Sequence, residues 1–301
     1  MAEDKNSYHR QILDKDENAR RFRAFVSNLK TIQRLNAQNK HAHFGITKFT
    51  DWTTEEEKAF STPLLRDDVR ALRGPSDWAR IKWDGSPLPK SFDWRDYGGV
   101  TPIKSQANKC NSCWAFAVTA VVESLYKIRK SEIISLSEQE IIDCDSSNDG
   151  CTSGSTRRAM LRGKYHGFTH LSEYPHDATN KSWSTCPYHG EIKVNQLYVV
   201  NPDANSIAYF IVHYGPVALN VAIPKPYKYY RRGILTNSRE CQYMAPNHAV
   251  EAVGFGEENG LKYWILKNSW GGWWGERGYF RMERGINACH IESFATSAGV
   301  Q

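Results

Sequence analysis

Two cysteines, Cys110 and Cys113, stand three positions apart in SQANKCNSCWAF, directly ahead of an apolar, helix-like run. Three chemistries use such a pair. A redox CxxC would close a strand in a βαβ unit, and that context is missing here. A zinc site needs a second CxxC or a histidine pair at ligand spacing, whereas Cys144 and Cys151 have six residues between them and His166 and His170 stand apart from other ligands. The third chemistry is nucleophilic. A cysteine in the first turn of a buried helix meets unpaired backbone N–H groups and the positive end of the helix dipole, and both favour the thiolate. Cys113 fits that position.

A nucleophile of this kind needs a base. Of ten histidines, only His248 lies inside an apolar strand pattern, NHAVEAVGFG, where its ring would be held rigidly. A lone histidine in a strand is otherwise a core residue. Asn268, in ILKNSWGGWWG, could orient that ring, although Asn before Ser and Gly is ordinarily a turn former. Each bland reading is favoured singly, and it is the joint order Cys113, His248, Asn268 that points to a Cys–His–Asn site.

The elements that must position these residues divide the chain. Residues 1 to 109 hold no cysteine and all seven fall between Cys110 and Cys289, so the first third reads as a separate unit. Within it, Phe22, Phe25, Val26, Leu29, Ile32 and Leu35 form a stripe at spacings of three and four, which predicts a long amphipathic helix over Asp16 to Asn39. Ile46 and Phe49 suit a short extended piece, Thr53 and Glu56 resemble a capping box opening a second helix, and Leu64 to Pro87 reads as an extended connector. After Cys113, the residues Trp114, Val118, Val121, Leu125 and Ile128 fall on one face of a buried helix. SLSEQEIIDC predicts another, with Ser135 or Ser137 near its cap. Beyond residue 195 the pattern turns to strands: QLYVV, PVALNVAI, HAVEAVGFG, KYWILKNSW and GYFRMER.

Composition narrows the function. With 301 residues and 40% apolar content the chain has room for two domains. Its net charge of +6 is dispersed, which argues against a nucleic-acid partner, and no apolar run approaches the length of a membrane span. Seven cysteines suggest three bridges and one free thiol in an oxidising compartment, yet the polar start MAEDKNSYHRQ is no signal peptide. Both fit if a secretory signal precedes this sequence.

QANKCNSCWAF, SEQEIIDC, DGCTSG, SEYP, NHAVEAVGFG, YWILKNSWGGWWGERGYFRM and ACHIESFATS resemble, in order and spacing, the papain-like cysteine proteases of the cathepsin L type. The first third resembles their prosegment: Glu17, Arg21, Phe25, Asn28, Ile32 and Asn36 fill the ERFNIN pattern, and Gly45, Thr47, Phe49 and Asp51 are similar to GNFD with Thr in the Asn slot. The resemblance covers nearly the whole chain. It implies an α+β, papain-like two-lobe fold, one lobe helical and one like a β-barrel, behind a small helical prosegment. The implied division is a prosegment over 1–87 (helical knob 8–61, cleft-crossing linker 62–87) and a peptidase over 88–301 (helical lobe about 98–198, β lobe about 199–301 with the N-terminal strand).

The implied function is a cysteine endopeptidase made as an inactive precursor, against the alternative of an inactive homologue that binds or inhibits through its prosegment. The resemblance makes Cys113 the nucleophile, His248 its partner, Asn268 the orienting group and Gln106 an oxyanion donor, with Trp270 covering the Asn268–His248 bond. Gly154 would pair with the substrate backbone where a Cβ would crowd the peptide; the usual preceding glycine is Ser153. Ser155, Thr156 and a residue of the Ala218 to Ala222 strand would line the pocket for the second residue before the cut. Six cysteines allow 15 pairings; the resemblance selects Cys110–Cys151, Cys144–Cys186 and Cys241–Cys289 and leaves Cys113 free. No metal or cofactor is implied. The implied partners are protein or peptide substrates, the chain's own prosegment and cystatin-type inhibitors, on a monomer that is lysosomal or secreted. Maturation is expected between about Arg80 and Lys90, and Asn180 opens a weak glycosylation sequon. One departure concerns the site: an extra residue at Lys109 and Asn111 in a usual glycine slot bear on how Gln106 is aimed.

Overall fold

The computed structural model describes residues 14–59, 64–65, 77–106, 110–177, 186 and 190–300. Lys109 and the sequon at Asn180 lie outside them. The first helix, α1 (Lys15–Gln38), starts at Asp14, whose carboxylate accepts the Asp16 N–H, with Asp16 and Glu17 in the first turn where the dipole favours them. The apolar stripe expected on α1 is displaced, because Phe22 (65% exposed) and Val26 (37%) face solvent. The inward seam keeps Leu29, Ile32 and Leu35 and adds Arg21, Asn28 and Asn36, whose polar groups are hydrogen-bonded. The Asn28 amide donates to the Thr50 carbonyl at 3.0 Å, and Asn36 exchanges two 2.8 Å bonds with the backbone of Phe44. Satisfied polar groups can be buried at little cost, so a reading by hydropathy misplaces this face.

Strand β1 (Ala42–Phe44) follows, then a turn that carries Phe49, where an extended piece was expected, and then helix α2 (Thr54–Ala59). The capping box forms: the Thr53 N–H donates to Glu56 at 3.0 Å and the Glu56 N–H to the Thr53 hydroxyl at 3.4 Å. The connector is not featureless. Trp78–Ile81 is strand β2, parallel to β4 (Gln196–Val200).

The rest of the chain forms two lobes. Helices α3 (Cys113–Lys130), α4 (Glu138–Cys144) and α5 (Thr156–Tyr165) make the helical one. Ser137 and Ser155 cap α4 and α5 through their hydroxyls. Helix α3 is buried on nearly every side from Cys113 to Tyr126, not on one face, because β strands and two helices enclose it. The second lobe contains β5 (Val217–Val221), β6 (Tyr230–Leu235), β7 (His248–Glu258), β8 (Leu261–Lys267), β9 (Tyr279–Glu283) and β10 (Ala295–Gly299), with α6 (Ala204–His213) and the short α7 (Arg239–Gln242). Strands run β1-β6-β9-β8-β7-β5-β10-β4-β2, and β3 (Phe92–Asp93) pairs with β7. The first third of the chain therefore supplies both outer strands, β1 and β2, and shields the edges of the sheet.

Two cores result. One fills the β lobe and takes in Ile32, Phe44, Phe49 and Trp52 from the first third; the other surrounds α3 and takes in Leu64. Disulfides join Cys110 to Cys151, Cys144 to Cys186 and Cys241 to Cys289, and Cys113 is the free thiol. Between the lobes lies a buried charge network: Lys104 contacts Glu123 and Glu138, each at 2.7 Å, while Lys267 contacts Glu251 at 3.3 Å and donates to the Thr101 hydroxyl.

Candidate active site

Cys113 is the first residue of α3. Ser112, at the cap position, makes no side-chain cap bond and its carbonyl takes the Ala115 N–H, so the Cys113 and Trp114 N–H groups of the first turn are left to the thiol. The thiol lies within reach of the backbone N–H groups of Ala249, Trp114 and Cys113 itself. Ala249 follows His248 on β7, so the helix end of one lobe meets the strand start of the other at these two side chains.

His248 is buried and pairs with Val221 of β5. Its Nε2 lies 2.7 Å from Oδ1 of Asn268, an oxygen that also accepts the Ser269 N–H at 2.8 Å. The cross-strand pair Glu251 and Lys267 sets the register that brings His248 and Asn268 together. Trp270 packs on the imidazole with ring centroids 4.9 Å apart, and Trp274 packs edge-on against Trp270 at 4.7 Å.

Gln106 is buried and stitched to the β lobe. Its backbone N–H donates to the Ser269 carbonyl at 2.8 Å, its Oε1 accepts the Ser269 hydroxyl at 2.6 Å, and its Nε2 makes a long 3.4 Å bond to the Cys110 carbonyl. Ser269 thus fixes which end of the amide faces the helix end. Sequence reasoning passed over it, although its place between Asn268 and Trp270 was the available signal.

Gly154 is needed for a different reason than expected. A Cβ there would lie 2.3 Å from the buried indole of Trp114, so the glycine is required by that ring whatever its part in holding a peptide. Its carbonyl accepts the Leu65 N–H at 3.2 Å, and across the cleft the Leu64 N–H donates to the Pro246 carbonyl at 3.1 Å. Leu64 is buried in one cluster with Cys113, Met160, Ala218 and Ala249. Ser155 and Thr156 are buried too, but the Ser155 hydroxyl is engaged as the α5 cap, and Ser153 accepts from Asp149 through its carbonyl. Around Leu64 two residues stand that sequence reasoning did not name, Met160 in the same cluster and Pro246 through its carbonyl.

Burial dominates the electrostatics of the covered site. It pushes the Cys113 thiol up to about 12 against the three N–H groups that hold it down. It also lowers His248 to about 4, against the Asn268 bond that favours the charged ring. Burial thus favours the neutral thiol and the neutral imidazole in this form.

The first third holds its own fold through Arg21, whose guanidinium meets Glu56 at 2.9 Å and Glu17 at 2.8 Å, with Asp51 farther off at 3.8 Å. Asp51 is thus the lesser partner. Phe49 packs edge-on against Trp270 at 5.2 Å, and β1 pairs with β6. The Gly45 N–H donates to the Tyr229 carbonyl, and the Thr47 hydroxyl to the Lys228 carbonyl. Thr in the expected Asn slot therefore has a partner across the interface.

Residues 88–298 match the papain family cysteine protease domain, and residues 5–56 match the cathepsin propeptide inhibitor domain I29. The chain belongs to the papain family of cysteine proteases. Cathepsin F of Drosophila melanogaster is 35% identical over 304 residues; the match covers 97% of this chain, which spans 48% of that protein's length. Fruit bromelain of Ananas comosus is 36% identical over 288 residues, covering 93% of this chain and 79% of its own. Among solved structures, digestive procathepsin L2 proteinase from Tenebrio molitor larval midgut superposes with a TM-score of 0.88 at 31% identity, covering 98% of this chain and 97% of that one. Digestive procathepsin L 3 of the same source gives 0.85 at 30%, covering 97% and 95%. Both neighbours are precursor forms, and this papain-family chain likewise carries its propeptide as an intramolecular inhibitor.

Proposed function

We propose that the chain is the precursor of an endopeptidase that cuts peptide bonds through Cys113, His248 and Asn268. Once the cleft is open, the Cys113 sulfur attacks the scissile carbonyl carbon as a thiolate, with the proton held on His248. The imidazolium gives that proton to the departing amine nitrogen, leaving a thioester on Cys113. His248 then takes a proton from water, whose oxygen displaces the sulfur and releases the carboxylic acid. Asn268 keeps the ring aimed through its 2.7 Å bond, under the cover of Trp270. The oxyanion is met by the Cys113 N–H and by Nε2 of Gln106, which trades its long bond to Cys110 for the substrate. Gly154 pairs with the substrate backbone, and Ser153, Ser155, Thr156 and Ala218 surround the pocket that Leu64 fills in the precursor.

The observation that supports this most is the His248–Asn268 bond at the point where β7 meets the start of α3. The prosegment supports it as well. Phe49 lies against Trp270 and Leu65 against Gly154, so the prosegment runs from the one to the other, opposite to a substrate with its acyl part at Gly154. Residues 1–87 are the prosegment in this reading and 88–301 the peptidase. The cut falls between about Arg80 and Lys90, where the exposed turn at Asp84 and Gly85 offers a protease access. The enzyme acts as a monomer in the lysosome or outside the cell, open to cystatin-type inhibitors and glycosylated at Asn180.

The test is hydrolysis of a fluorogenic peptide after acid treatment, set beside Cys113→Ser. Activity only in the unsubstituted enzyme is the expected result. Equal inertness of both would leave the alternative of a binding protein.

A further inference from the structure

Lys228 is a buried cation on the wall of the cleft, and no step of the proposed reaction uses it. It lies in the short turn Lys225–Tyr229 ahead of β6 and is 3% exposed. Its carbonyl accepts the indole N–H of Trp274 at 3.0 Å, and Trp274 packs on Trp270, which covers His248. Lys228 therefore belongs to the aromatic wall beyond His248. Gly154, which takes the acyl part of the substrate, lies on the other side of Cys113, so this wall flanks the leaving-group part.

Lys228 is covered in part by the prosegment. Its ammonium nitrogen stands 4.9 Å from the ring of Trp52. Glu57 brings a carboxylate to the same turn, 3.6 Å from Lys225 and 3.3 Å from the Tyr229 hydroxyl. Burial lowers Lys228 to about 8, the Glu57 charge opposes that shift and Lys225 adds to it. The cation also acts on His248, lowering it further. Removing residues 1–87 takes away Trp52 and Glu57 together and leaves two lysines beside the aromatic wall.

We infer that Lys228, aided by Lys225, forms a subsite for acidic side chains on the leaving-group side of the cut, and that Glu57 holds the place of that acid in the precursor. This rests on the peptidase reading and adds a substrate class to it: peptides with Asp or Glu just after the scissile bond.

The test uses the matured enzyme and two internally quenched peptides that differ only in carrying Glu-Glu or Gln-Gln after the scissile bond. The Glu peptide is expected to have the higher kcat/KM by about fivefold at low salt, the gain from a part-exposed ion pair. The ratio should fall toward one near 1 M salt, where the Debye length is about 3 Å, and in Lys228→Gln, while Lys228→Arg retains it. A ratio at or below one in the unsubstituted enzyme, or one indifferent to salt, overturns the inference without any variant having to fold. Cleavage of both peptides at equal rates removes this subsite alone, whereas cleavage of neither removes the peptidase reading and this inference with it.

Discussion

Phe49→Ala offers the sharpest test of how the prosegment is held. Phe49 is 1% exposed and packs edge-on against Trp52 at 4.7 Å and Trp270 at 5.2 Å, one partner from the prosegment and one from the catalytic wall. Truncating a buried Phe costs about 3–5 kcal/mol, from lost transfer energy and the cavity left behind. The contact with Trp270 is lost when the knob leaves, whereas that with Trp52 lies within the prosegment, so about half of the cost falls on docking. At about 1.4 kcal/mol per tenfold, the undocked fraction of the precursor should rise roughly 10- to 60-fold. The assay is the initial rate of fluorogenic peptide hydrolysis by the full-length chain near neutral pH, with a gel to show that the chain stays uncut. Each rate is normalised to the same sample after complete maturation. Phe22→Ala is the control: Phe22 lies on the same knob but is 65% exposed, and a surface truncation within about 0.5 kcal/mol shifts the rate by no more than about twofold. A Phe49→Ala precursor as silent as the Phe22→Ala control would refute the docking role given to this ring.

Three further outcomes are expected. In the precursor, iodoacetamide should modify Cys113 far more slowly than in the matured enzyme at pH 6, with a rate that climbs about tenfold per pH unit as a neutral thiol requires; equal rates, read by mass spectrometry, would contradict a neutral thiol beneath the prosegment. Gly154→Ala should lower Tm by several degrees, because the added Cβ meets the buried Trp114 ring and overpacking of this kind costs about 1–3 kcal/mol; calorimetry with no shift would count against it. In the uncleavable Cys113→Ser background, acid should release the prosegment as buried His248 takes up a proton, and Glu56→Gln, which removes the largest partner of Arg21 and so weakens the knob, should move release to higher pH as followed by tryptophan fluorescence.

Strand patterns were legible where alternation or apolar runs were long. All five runs named beyond residue 195 contain strands. Strands β6 and β10 were missed because YRRGIL and ATSAG are too charged or too small to show a period, and their places are set by neighbours in the sheet. Helix α5 was missed for a related reason: TRRAMLRGKY has a basic, glycine-bearing pattern, yet Ala159 and Met160 are fully buried. Cys113, His248 and Asn268 could be suspected from residue type and order. Ser269 and Lys228 could not, since a serine and a lysine acquire their meaning here only from what the fold sets against them: the Gln106 side-chain carbonyl in one case and a prosegment tryptophan in the other.

The three perturbed groups along the cleft share one physical cause. Cys113 moves up to about 12, His248 down to about 4 and Lys228 down to about 8, and in each the largest contribution is loss of water on burial. Burial in the precursor therefore favours the uncharged form of all three groups. That makes docking depend on pH in a definite sense. His248 has a folded value below its ordinary 6.5, so its contribution to the docked state is complete above that value and is lost as pH falls through about 4. Arg21, raised by its bond to Glu56, stays charged throughout. In the proposed reading the three N–H groups on Cys113 and the Asn268 bond on His248 outlast the prosegment, and wherever its departure returns water to the pair they favour thiolate and imidazolium.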